Sequence, residues 1–150
     1  MKTKKSKSLV MSALFIGMAL SASFVISQTA SAADMQLDQA IQQGHDIFSH
    51  NTFNGNGKVC ESCHVSGGAE PGKLPNGKVI PSLSNAAAIF PRFNAKMDKV
   101  ITLQDQVRAC AANALQGTPP EYGSKELNAI TSYITSLAQG KTIDMGGKPQ

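Results

Sequence analysis

Cys60-Glu61-Ser62-Cys63-His64 constrains this chain more than any other stretch. Two thiols three residues apart on one turn, with an imidazole directly after the second, can grip one flat ligand at two points and place a nitrogen beneath its centre. Other uses of such a pair lack their remaining parts. Structural zinc takes four ligands, usually from two such pairs, and no second pair is present. A thioredoxin-type redox pair would follow a strand and precede a helix, and has no need of the histidine. A disulfide between the two cysteines would be strained. C-x-x-C-H is the attachment signature of c-type haem. Cys60 and Cys63 are therefore expected to bind the two vinyl groups of one haem c covalently, with His64 as the proximal iron ligand.

The N-terminal segment must be set aside before charge is read. Lys2, Lys4, Lys5 and Lys7 precede an apolar stretch from Leu9 to Leu20, which weakens toward Ile26 and ends in Ala30-Ser31-Ala32. A basic start, an apolar middle and an A-x-A end describe a signal peptide. Residues 1–32 are read as one, cleaved near Ala32 or Ala33, because Ser21, Ser23 and Ser27 interrupt the run that an uncleaved anchor would need. The remaining 33–150 form one domain, expected in the periplasm without stable membrane insertion, since no other apolar run is long enough to span a bilayer. The net charge of +4 comes from 14 basic and 10 acidic residues; removing four lysines leaves 10 against 10, so nothing points to a nucleic-acid partner. An exported domain normally pairs its thiols, and Cys110 is left over as a third.

Three amphipathic helices are expected. The first covers roughly 36–49, with Leu37, Ile41, Gly44, Ile47 and Phe48 on one face. The second opens at Thr102, an N-cap with Asp105 three residues on, and turns Leu103, Val107, Cys110 and Ala114 inward. The third is capped by Ser124 and buries Leu127, Ile130, Tyr133, Ile134 and Leu137. A Gly- and Pro-rich segment, 66–82, is expected to wrap a haem edge. No stretch alternates well enough to read as a strand, so the fold class is all-α.

Gly44 and Phe48 in the first helix and Tyr133 in the last resemble the helix crossing of class I cytochromes c, where a small residue lies beneath an aromatic. The resemblance implies a class I cytochrome c-like domain over 33–150, its three main helices wrapped around one haem. A more specific likeness covers Phe90 to Gly140. Phe90-Pro91-Arg92-Phe93, Leu103, Arg108-Ala109-Cys110, Gly117, Tyr122-Gly123-Ser124, Glu126 and Tyr133 resemble the haem domains of SoxA and of thiosulfate dehydrogenases. That resemblance implies that Cys110 is the distal iron ligand. Ala111-Ala112-Asn113-Ala114-Leu115 departs from the arginine-containing stretch that follows the cysteine in SoxA.

On the residues alone the distal ligand stays open between Cys110, Met97 and Met145, in that order; an ordinary buried thiol is the plain alternative for Cys110. His45 and His50 read as solvent-facing. Pro81, before Pro71 or Pro75, is the candidate carbonyl partner for the second nitrogen of His64. The first functional expectation is a periplasmic one-electron carrier that meets redox protein partners at an exposed haem edge. The alternative is a haem subunit of a sulfur-compound-oxidising enzyme of the thiosulfate dehydrogenase/SoxA kind.

Overall fold

In the computed structural model residues 31–150 are described; the leader read over 1–32 lies outside the described residues apart from Ser31 and Ala32. The first helix, α1, runs Ala32–His50, four residues earlier than its apolar spacing indicates. Ser31 and Asp34 form a reciprocal capping box, which satisfies orphan N–H groups ahead of the apolar stripe. Gly44, Ile47 and Phe48 are buried. Leu37, expected on the same face, is 54% exposed because it lies before the helix meets its partner.

That partner is α4, Lys125–Leu137, capped by Ser124, whose Oγ accepts from the Leu127 N–H at 3.1 Å. The crossing is the one expected. A Cβ on Gly44 would stand 2.0 Å from the Ala129 carbonyl oxygen and 2.7 Å from Tyr133 Cβ, so only hydrogen fits there. The Phe48 and Tyr133 rings pack at 5.4 Å beside it. Phe48, Leu127 and Ile130 are almost wholly inaccessible and centre the core.

The third long helix, α3, covers Leu103–Asn113 and starts as expected, with a Thr102/Asp105 capping box. Val107 and Ala111 are its buried residues, and Leu115 follows into the core. Ala114 ends the helix and faces inward as expected, onto a central cavity rather than into packed side chains.

The all-α expectation holds only in part. The fold is mostly helical, with a one-turn helix α2, Ala86–Ile89, and two small antiparallel ribbons. Strand β1, Gly72–Lys73, pairs with β2, Val79–Ile80, inside the expected loop. Strand β3, Arg92–Asn94, pairs with β4, Lys99–Ile101, with Phe93 opposite Val100. Strands of two and three residues are too short for a period of two to be read.

After α4 the chain turns back over α2. Asp144 N–H donates to the Ala88 carbonyl at 2.8 Å and Gly146 N–H to that of Ile89 at 3.0 Å, satisfying the open end of α2. Asn85, buried, donates to the Lys148 carbonyl at 2.9 Å and accepts from Gln150 N–H at 3.3 Å. Among the described residues no helix is long and apolar enough to cross a membrane.

Candidate functional site

The core stops short of the centre. A cavity of about 670 Å³ lies between α3, α2, the two ribbons and the Cys60–His64 turn, within the usual size of a cofactor site. Cys60, Cys63, His64 and Cys110 all line it. All three thiols of the chain are free.

The turn is held tightly. Cys60–Ser62 is a 3-10 turn in which the Cys63 and His64 N–H groups both donate to the Cys60 carbonyl at 3.1 Å. Glu61 accepts from the Gly67 N–H at 2.9 Å, and the Gly67 carbonyl accepts from the Tyr133 hydroxyl at 2.7 Å, which ties the turn to α4. Strand β1 passes so close that a Cβ on Gly72 would lie 1.9 Å from the Cys63 carbonyl oxygen.

His64 Nδ1 stands 3.3 Å from the Pro81 carbonyl, the partner expected from the sequence. A carbonyl can only accept, so Nδ1 carries the proton and Nε2 keeps its lone pair for a metal. Burial lowers the His64 pKa, against an opposing pull from Pro81, which favours the neutral, ligating form. Phe48, 6.3 Å away between ring centroids, backs the imidazole.

Burial first, then the neighbouring Cys110 sulfur, push the Cys60 thiol up to about 12. Cys110, half-buried on α3, is also raised by burial, while a hydrogen bond from Gln106 pulls the other way. Gln106 Nε2 donates to Cys110 Sγ at 3.5 Å. Met97, in the turn between β3 and β4, is 41% exposed; Met145 is 68% exposed. Neither is among the residues lining the cavity, although the returning tail brings Met145 back toward α2 and seats Pro149 in the wall. His45 and His50 are exposed on α1, outside the cavity.

Sequence reasoning missed several residues of the wall. Gln106 precedes Cys110 by one helical turn, a spacing that could have marked it. Lys78 and Lys96, in hairpin segments, carried no signal; Arg92 was noticed only within the family likeness. Among the described residues the wall carries these three cations and no carboxylate.

The donor set fits a haem. Two thiols and an imidazole with a free Nε2 share the cavity with a further sulfur, its remaining wall is largely apolar, and Lys78, Arg92 and Lys96 suit two propionates. Fold and site together define a cytochrome c domain, mostly helical with a few short strands. The SoxA/TsdA cytochrome c domain model matches residues 43–143, and the chain belongs to that family.

Thiosulfate dehydrogenase of Stutzerimonas stutzeri (strain A1501) is 31% identical over 107 residues, 68% of this chain and 33% of the relative. The L-cysteine S-thiosulfotransferase subunit SoxA of Pseudaminobacter salicylatoxidans is 27% identical over 107 residues, 71% of this chain and 32% of the relative. The chain thus spans about a third of their length. In structure it resembles SoxXA from P. pantotrophus, with a TM-score of 0.59 at 21% identity over 76% of this chain and 38% of that one. It also resembles thiosulfate dehydrogenase (TsdBA) from Marichromatium purpuratum, with a TM-score of 0.58 at 24% identity over 73% of this chain and 24% of that one. The names of the curated relatives agree better with the sulfur-oxidising alternative than with a generic carrier.

Proposed function

We propose that this domain is the haem-bearing part of a sulfur-compound-oxidising system, exported to the periplasm by residues 1–32, which are then removed. One haem c would be held covalently through Cys60 and Cys63, with His64 and Cys110 as the residues that would hold its iron. The observation that carries this reading is the shared cavity of Cys110 and the attachment turn, from whose wall Met97 and Met145 are absent. The names of the relatives, thiosulfate dehydrogenase and SoxA, support the substrate class.

When bound, the haem supplies a one-electron redox centre. The chain does the rest. His64 presents Nε2, its ring held by Pro81 and Phe48. Cys110 presents a sulfur from a helix fixed at its start by Thr102 and Asp105. Lys78, Arg92 and Lys96 draw anions, among them a thiosulfate-like substrate, toward the cavity. Sulfur oxidation releases electrons in pairs and a single haem would store one, so this reading calls for a redox protein partner to take the electrons. The single attachment motif also suits a simple one-electron carrier.

Two measurements separate these readings. Electron paramagnetic resonance of the ferric protein should carry a low-spin thiolate signature that Cys110→Ala abolishes, while Met97→Ala and Met145→Ala leave it unchanged. Thiosulfate with an artificial acceptor should then reduce the protein and turn over. Retained ligation in Cys110→Ala would defeat the ligand assignment, and silence toward thiosulfate with every candidate partner would leave the carrier.

A further inference from the structure

Helix α3 carries one cation, Arg108, two residues before Cys110 and so on a different face of the helix. It is engaged elsewhere. Its guanidinium donates to the Pro120 carbonyl and lies 4.1 Å from the centroid of the Tyr122 ring, whose hydroxyl is bound to Asp105. The 118–124 loop therefore holds the charge of α3, and the group that meets the sulfur is neutral: the amide of Gln106, 3.5 Å from Sγ. Among the described residues no other side chain donates to Cys110. Gln106 and Cys110 are one turn apart on the same helix and line the same cavity.

We propose that Gln106 is a positioning residue for the distal sulfur: its amide N–H holds the Cys110 side chain in its cavity-facing orientation and draws electron density from Sγ. This rests on the reading of Cys110 as the distal ligand. A hydrogen bond to a ligating cysteine sulfur raises the potential of the metal it serves, by stabilising the electron-rich reduced state. A cation at the same place would neutralise the thiolate. A neutral donor moderates it and leaves its negative charge for the iron. The arrangement thus sets an intermediate potential without an ion pair in the wall.

The test uses the haem-loaded full protein with Gln106→Leu and Gln106→Glu, both close to glutamine in size. Each variant is read by redox titration and by ferric electron paramagnetic resonance. Gln106→Leu should move the ferric/ferrous balance toward ferric by about tenfold, which for one electron is about 59 mV to more negative potential. Gln106→Glu, which brings a negative charge in place of a donor, should move it further in the same direction. Both should alter the spread of the low-spin g-values. A thiolate signature in the parent protein with potential and g-values unmoved in both variants would overturn the role of Gln106 alone. A parent spectrum unchanged by Cys110→Ala would overturn the ligand reading and this inference together.

Discussion

Gly44→Ala offers a test in which two effects have opposite signs. Alanine is the better helix former, so propensity alone would stabilise α1 by about 1 kcal/mol. The crossing works against it. The new Cβ would lie 2.0 Å from the Ala129 carbonyl oxygen, where ordinary contact begins near 3.4 Å, so the helices must part by about 1.4 Å (3.4 − 2.0). A gap of roughly 0.5–1 Å already forfeits a quarter to a half of each dispersion contact. The contacts affected are those of Ile47, Phe48, Ile130 and Tyr133, all buried. Over-packing of this kind costs about 1–3 kcal/mol, sometimes more, and with backbone as the obstacle the upper end applies. After the propensity gain, a net loss of about 2 kcal/mol is expected, or roughly 10 °C in melting temperature for a domain of this size. Thermal melts of the haem-loaded protein, followed by far-ultraviolet dichroism and Soret absorbance, would measure it. A variant melting at or above the parent would mean that the crossing is looser than drawn and that propensity governs.

The haem should stay with the polypeptide in acidic organic solvent, and intact mass should equal the chain from Ala33 or Asp34 plus one haem; colour passing into the organic phase would refute thioether attachment through Cys60 and Cys63. Tyr122, then Thr102, hold Asp105 down to about 2. Because that pKa is depressed on folding, its contribution to stability is complete above about pH 4 and fades as pH falls toward 2. Tyr122→Phe should therefore be less stable than the parent at neutral pH, with the gap closing over that window; a gap independent of pH would exclude the carboxylate. Asn85→Ala removes both side-chain bonds to the tail, and hydrogen exchange should rise at 144–150 while the α1–α4 amides stay protected.

What was legible in the sequence was local chemistry with a fixed spacing. Thr102 with Asp105, and Ser124 before Leu127, could be read as caps because a cap needs only residues three apart. Gly44, Phe48 and Tyr133 could be matched because a close crossing admits few side chains. Of the three loop prolines offered as the carbonyl partner of His64, the first choice, Pro81, is the one in place. The ribbons escaped because their strands hold two or three residues and border a cavity, so neither face is plainly inside. Helix α2 and the returning tail escaped for a related reason. Each satisfies the other's backbone through bonds such as Asp144 to Ala88, and no pattern within either segment announces a partner so far along the chain. Gln106 escaped because it is uncharged and belongs to no motif, and only its one-turn spacing to Cys110 could have marked it.

The pairing of α1 with α4 also dictates an order of events. Gly44 and Ala129 are 85 residues apart (129 − 44), and closing a loop of that length costs roughly 4 kcal/mol in chain entropy before any contact offsets it. The helix that α1 needs comes last among the described elements, so the apolar stripe of Gly44, Ile47 and Phe48 stays uncovered until the chain through α4 is available. Cys60, Cys63 and Cys110 all lie within that unclosed loop. Under the proposed export and haem attachment, the same interval that leaves Cys60 and Cys63 open to a haem leaves all three thiols open to one another. Whichever cross-link forms first, thioether or disulfide, then decides whether the two helices close on a filled cavity or on a mispaired chain.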